Sequence, residues 1–471
     1  MTLKSIAAFR GLRYDPARVH RLDDVLAPPY DVVGRQHVQA YLTRSRYNVL
    51  QLDLGVADPA DPVPGRWDEV ARRFRDWVDE GVLVPDPRPS VYVFRHRYHL
   101  PDGRPGTLTA VFVGLRAGPG GSKAAMGHER TVAAVRGDRL EQLRRCAAQF
   151  SPILALVADP ELRFQRALEE AASGEPHVEA EAPTGGELAL WACPSETPHG
   201  RRVLEELARA LERSPAVIAD GHHRFEAASQ YAEEQARLAS AAARRREGLY
   251  VLAALASLEG GGLSILPVHR VVGPPSAVEP FRMALYEHLM PLHDDEVPVS
   301  LRAGLRREGA DPAQTAAHVA SLRQALSRPV LAVWWGGGRV DYLAVPAKVT
   351  QRVGSSGPEF PGVAGDITLL HRGPLAEWRP STRTVVDGAG AEESRWIRYT
   401  SDAREAAAAV DRGEAAAALL LAPVALAEVQ EVAQTGKKMP EKSTYFYPKL
   451  ISGLVLQDLR LPVEAWPPDP A

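Results

Sequence analysis

The spacing of apolar and polar positions predicts alternating helices and strands. Residues 67–80 read as an amphipathic helix that stops at Gly81. Residues 90–98 alternate as a strand does. Residues 108–115 return after the Asp102-Gly103 turn, so the two segments predict a hairpin. Residues 117–127 hold too much glycine for an element interior and read as a loop. Residues 138–148 read as a helix, 152–157 as a strand and 174–186 as a polar break. The clearest rhythm follows: helix 203–213, strand 216–219, a turn at Gly221, helix 225–246, strand 249–256, and a return over 263–267 after Gly260-Gly261-Gly262. Strand, helix, strand with such a crossover predicts an α/β (α+β) core.

The pattern changes near Gly273-Pro274-Pro275, which predicts two α/β domains, 1–275 and 276–471. The second should hold helices at 278–289 and 312–326 and a hairpin of 330–335 with 339–345. Helix, strand and helix at 403–410, 416–421 and 424–433 complete it. At 471 residues the chain is too long for one ordinary domain.

Charge and cysteine content exclude several classes. Lys and Arg number 56 and Asp and Glu 59, a net charge of −3. That balance argues against a protein built to coat nucleic acid or anionic membrane, and leaves room for one basic pocket. Cys146 and Cys193 are the only cysteines, too few for a disulfide scaffold or a four-cysteine zinc site. The first residues lack a signal-peptide h-region, and no run of 18 uncharged apolar residues occurs, so the expectation is a cytoplasmic protein without a membrane partner.

The sharpest local signal is Asp220-Gly221-His222-His223-Arg224, between a short apolar strand and a long helix. The first turn of a helix presents N–H groups and a positive dipole end, a natural anion site. Arg224 adds a planar donor suited to phosphate. Asp220 can cap the helix or hold a divalent cation, and His222 and His223 can donate, ligate or shuttle protons. A plain cap with solvated histidines is the bland reading, and four polar groups beside one glycine weigh against it.

Other segments carry weaker signals. Gly127-His128-Glu129-Arg130 offers Glu129 as a general base or metal ligand, or only a helix start with surface charge. Ala27-Pro28-Pro29-Tyr30-Asp31 would present Tyr30 and Asp31 in a stiff loop, or make a plain turn. His269 ends a strand and faces either the same pocket or a satisfied edge. The segment from Lys437 to Lys449 mixes lysines with aromatics. Lys442 and Lys449 could meet an anion there, or the aromatics pack on the core while the lysines stay wet. The loop before Lys123 lacks the Walker A spacing. Asp366 and His371 are spaced to diverge on a helix.

In this order, several segments resemble the bacterial and archaeal family known as domain of unknown function 1015. They are Phe9-Arg-Gly-Leu-Arg-Tyr14, Ala27-Pro-Pro-Tyr-Asp-Val32, Tyr47-Asn48, His128-Glu-Arg-Thr131, Asp138-Arg139 and Ser151-Pro152. Ala219-Asp-Gly-His-His-Arg224, Leu266-Pro-Val-His-Arg270, Met439-Pro-Glu-Lys-Ser-Thr-Tyr-Phe-Tyr-Pro-Lys449 and Gly453-Leu454 continue the match over essentially the whole chain. The Asp-Gly-His-His-Arg piece is also similar to a motif of the ParB/sulfiredoxin superfamily, above all its free serine kinases. That likeness implies a ParB/sulfiredoxin-like mixed core and a turn that binds nucleotide phosphate.

The resemblance implies a nucleotide-dependent phosphotransferase on a small hydroxyl-bearing metabolite, with free L-serine as candidate and ATP or ADP with Mg²⁺ as cofactors. Gly221, His223, Arg224, His128, Lys442 and Lys449 would hold phosphate. Asp220 would orient Mg²⁺, and Glu129 would take the hydroxyl proton with help from His222. Tyr30, Asp31 and His269 would meet substrate. His222 stands where sulfiredoxin needs cysteine, which argues against peroxiredoxin repair. Near-neutral charge and no evident helix-turn-helix argue against DNA partitioning. Two alternatives stay open: a binding or regulatory module without turnover, and a metal-dependent hydrolase using His128, Asp220, His222 and His223.

Overall fold

Trp67, Val70, Ala71, Phe74 and Trp77 are buried along one side of helix α1 (Arg66–Asp79), three and four residues apart, as an amphipathic helix requires. A computed structural model describes residues 4–55, 65–118, 124–238, 250–346, 365–372, 374–378 and 396–468. The chain forms two units. Unit 1 holds residues 1–127, 131–264 and 446–471, and unit 2 holds 128–130 and 265–445. The chain therefore leaves unit 1 after Ser264 and returns to it at Phe446, where the sequence reading placed a single division near 275. A composition break marks a linker, but it cannot reveal that a terminal segment folds back.

Unit 1 is built on a ten-stranded mixed sheet. Its strands include β1 (Ile6–Phe9), β2 (Ser90–His99), β3 (Pro105–Arg116), β4 (Ala125–Gly127), β5 (Ile153–Val157), β6 (Val178–Glu181), β7 (Glu187–Pro194), β8 (Ala216–Asp220) and β9 (Tyr250–Ser257). The order is β4-β8-β5-β9-β3-β1-β2-β7-β6, and a last strand, Val463–Trp466, pairs with β1. β4 runs parallel to β8, and β5 parallel to β9, while the other pairs are antiparallel. β9 is buried along its whole length, as expected of a central strand covered on both faces.

Helices α2 (Ala133–Cys146), α3 (Arg163–Ala171), α4 (Pro198–Arg213) and α5 (His222–Leu238) pack apolar side chains such as Leu140, Phe164, Leu207 and Ala227 into one core with the sheet. A second cluster, with Phe74, Trp77, Phe150 and Tyr30, lies beneath α1. The predicted hairpin is β2 and β3, with Gly103 at φ +85° in the turn. β6 lies inside the segment read as a polar break. It alternates half-buried and exposed residues at the sheet edge, so it carries no apolar run for a sequence pattern to show.

Unit 2 holds a six-stranded antiparallel sheet of β10 (His269–Val272), β11 (Met290–Pro291), β12 (Val330–Trp334), β13 (Val340–Ala344), β14 (Ile397–Thr400) and β15 (Ala417–Leu421). Their order is β11-β13-β12-β15-β10-β14. Helices α6 (Pro312–Leu326) and α7 (Ala403–Asp411) cover a core that includes Val319, Leu322, Ala406 and Trp334. Asp366 and His371 share the helix Gly365–Arg372. Among the described residues no helix is long and apolar enough to cross a membrane.

Candidate functional site

β8 is buried up to its last residue, Asp220, and its register with β5 shifts between Ile218 and Asp220. A shift of that kind re-aims the side chain at the end of a strand. Gly221 follows at φ +86°, a conformation that L side chains rarely adopt. A Cβ there would also stand 2.9 Å from Ile153 and 3.0 Å from the Arg224 Nε. The Phe225 N–H donates to the Gly221 carbonyl at 2.9 Å, so α5 starts at once, its positive dipole end beside Asp220.

Asp220 is the centre of an ion triad. Arg224 donates from one guanidinium nitrogen to Oδ2 at 2.7 Å, and the Lys449 ammonium donates to Oδ1. Burial alone would raise the Asp220 carboxyl. Lys449 and Arg224 outweigh it and hold the group well below the usual carboxylate range, with His222 acting the same way. Arg224 also donates to the Pro152 carbonyl and is buried. Its guanidinium braces the turn from inside, where the sequence reading had it reaching for phosphate. Lys449 is set by its neighbours. Phe446 is buried, and the Tyr447 hydroxyl donates to the His99 carbonyl at 2.9 Å with its ring edge-on to Tyr98.

The proline-stiffened loop joins the same neighbourhood. Tyr30 is buried with the Arg139 guanidinium 4.1 Å from its ring centre, and Asp31 is exposed. Burial pushes the Tyr30 hydroxyl up to about 12 against the pull of Arg139, while Asp31, Arg224 and Asp53 also act on it. Asp53 and Arg139 are site residues that the sequence reading gave no role. Asp53 accepts from the Ser151 hydroxyl at 3.0 Å, and burial raises its carboxyl against Arg139 and Arg224. Arg139 donates to the Asp53 carbonyl at 2.7 Å and to Asp138 at 2.7 Å. The available signal was one aspartate inside the mainly apolar stretch Val49-Leu50-Gln51-Leu52-Asp53-Leu54, since a charge in such a stretch is seldom buried without a partner.

His223 Nε2 accepts the Val132 N–H at 2.8 Å, and Glu226 accepts from the Thr131 hydroxyl and from Arg136 at 3.2 Å. The first turns of α5 thus hold residues 131 and 132. His222 is buried beside Asp220.

The other predicted residues belong to unit 2. Residues 128–130 run beside 439–444: the Met439 N–H donates to the His128 carbonyl at 2.7 Å, and the Arg130 N–H to the Met439 carbonyl at 3.2 Å. His128 is fully buried, with Nε2 3.0 Å from the Thr444 hydroxyl. Glu129 is half-buried and accepts the Lys442 N–H at 2.8 Å, and the Lys442 side chain is exposed. His269 is buried in the sheet, where Nδ1 accepts the Leu421 N–H at 3.2 Å. Burial and then Arg270 lower it to about 4. In this sheet its strand lies between β15 and β14, and the ring is spent on a backbone N–H. Lys123 lies outside the described residues.

The metal expectation does not fit the donor set. Each Asp220 oxygen already holds a cationic side chain, so this carboxylate is not arranged as a direct Mg²⁺ ligand. Among the described residues no three His, Cys, Asp or Glu side chains are grouped to hold a metal ion.

A family model described as "Protein of unknown function (DUF1015)" matches residues 6–323. The chain belongs to that family. No curated protein matches this DUF1015 member. Among solved structures it is similar to a free serine kinase in complex with AMP, at 12% identity over 72% of this chain and 86% of that one, with a TM-score of 0.33. A mutant of a free serine kinase in complex with ADP gives 12%, 72%, 87% and 0.33 in the same terms. A conserved hypothetical protein from Pyrococcus furiosus gives 12%, 72%, 92% and 0.29.

Proposed function

We propose that this DUF1015 member is a nucleotide-dependent phosphotransferase acting on a small hydroxyl-bearing metabolite, with L-serine the first acceptor to test. The observation that carries the reading is the Arg224–Asp220–Lys449 triad at the N-terminal end of α5. Phosphoryl transfer asks a protein for charge neutralisation and alignment more than for a covalent partner. Here Asp220 stays ionised and pins the Lys449 ammonium at the mouth of a helix whose dipole favours an anion. Arg224 keeps that arrangement rigid from below. A carboxylate held so low is a poor proton acceptor, so Asp220 serves as anchor and the hydroxyl proton goes to Glu129. Mg²⁺ would enter on the nucleotide phosphates, not on Asp220.

The same triad would bind phosphate in a module without turnover. Phosphorus NMR separates the two, run with Mg²⁺, ATP or ADP, and L-serine. We expect a new phosphomonoester signal from wild type, lost in Glu129→Gln and in Lys449→Met. Glu129→Gln should still broaden the nucleotide lines, and Lys449→Met should not. Broadening without product from wild type would replace the enzyme with the binding module. Neither signal nor broadening would remove the nucleotide reading.

A further inference from the structure

We infer that Arg270 is a positioning residue for Glu129, acting through the backbone of Lys442. The inference rests on the reading above, in which Glu129 receives the proton. Lys442 has φ +56°, the left-handed region that a side chain other than glycine seldom occupies. Both of its backbone groups are engaged. The Lys442 N–H donates to Glu129 Oε1 at 2.8 Å, and its carbonyl accepts from the Arg270 guanidinium at 3.2 Å. Arg270 lies on β10, fully buried, donates also to the Val268 carbonyl, and has its guanidinium carbon 5.4 Å from the Tyr399 ring centre.

The rest of the seam is equally fixed. Met439 and Ser443 are buried, and the Ser443 hydroxyl donates to the Pro440 carbonyl at 2.7 Å. An N–H donating to a carboxylate fixes the plane in which its second oxygen can accept a proton, and it does so only while the N–H itself is fixed. The left-handed turn at Lys442 supplies that direction. Arg270 holds the turn from a sheet that cannot shift without disturbing its core. A residue other than glycine held at positive φ is costly, and local strain of this kind is kept where geometry serves a site.

The test combines a double-mutant cycle with amide exchange. Arg270→Met should lower kcat for phosphomonoester formation at least about tenfold while the KM for nucleotide changes less than about twofold. Arg270→Lys, which can still donate to the Lys442 carbonyl, should recover part of the loss. In a Glu129→Asp background, which keeps a carboxylate and part of the turnover, Arg270→Met should cost much less than it does in wild type, because its effect runs through Glu129. Additive losses would overturn the inference. Deuterium exchange gives a readout that needs no turnover. The Lys442 amide should exchange at least about tenfold faster in Arg270→Met, and faster in Glu129→Ala, with core peptides of β12 unchanged. An unchanged Lys442 amide would also overturn it. Should Arg270→Met fail to fold, the Lys442 amide of Arg270→Lys decides, expected between wild type and Glu129→Ala. Absence of product from wild type would count against the proposed reaction alone, since the exchange arm still decides whether Arg270 holds the Glu129 contact.

Discussion

Gly221 links the backbone of the candidate site to its charges. Gly221→Ala must accept both the positive φ and the contact with Ile153 and Arg224, whereas Gly81→Ala meets open space at φ +71°. We expect Gly221→Ala to cost about 2 kcal/mol more than Gly81→Ala in urea denaturation, and equal costs would remove the close-approach argument. Asp220 sets a pH dependence with a definite sign. Its folded carboxyl lies below the unfolded value, so the folded chain binds fewer protons and stability rises with pH. That contribution is complete above the ordinary aspartate value of about 4 and is lost as pH falls below it. Lys449→Met removes one counter-charge, so its denaturation midpoint should fall less steeply than that of wild type as pH drops from 5 to 3. A parallel fall would show that Lys449 does not set the Asp220 carboxyl. Asp220, Arg224 and Lys449 were each legible as charged residues at motif positions. Their direction was not, because an arginine that binds phosphate and one that braces a carboxylate look alike in sequence. Asp53 and Arg139 escaped a role because only tertiary packing brings them beneath Tyr30.

The strand β10 shows how an element can convert a candidate ligand into a structural group. His269 accepts a backbone N–H from β15 and stays neutral down to about 4, held there by burial and by Arg270. The unfolded chain takes up this proton near pH 6.5 and the folded chain does not, so stability is present above about 6.5 and lost as pH falls toward 4. Between pH 7 and pH 5 the loss is about 2 kcal/mol. His269→Asn, which keeps an acceptor for Leu421, should remove that slope. An unchanged slope between those pH values would mean that another group carries it. Elements with strong periodicity, such as α1 and the hairpin of β2 and β3, were readable from their spacing. β6 was not, since a half-exposed edge strand has no continuous apolar side to detect.

At the scale of the whole chain, the fold-back of the last segment escaped the sequence reading, since nothing local to residues 446–471 says which sheet they join. Those residues supply Lys449 and the strand Val463–Trp466. A chain ending at Tyr445 should therefore show faster amide exchange in β1 and β8, while peptides from β12 and β15 keep their protection. Unchanged exchange in β1 would show that the terminal strand contributes little. The same connectivity bears on birth order at the ribosome. Unit 2 is interrupted by nothing after residue 265 and has all its parts once residue 445 is outside the exit tunnel. The sheet of unit 1 begins at Ile6 and receives its last strand only with Trp466. The strand at Ile6 is made before the inserted unit and its partner at Trp466 after it, so the first must wait while the inserted unit is ready to fold in the interval.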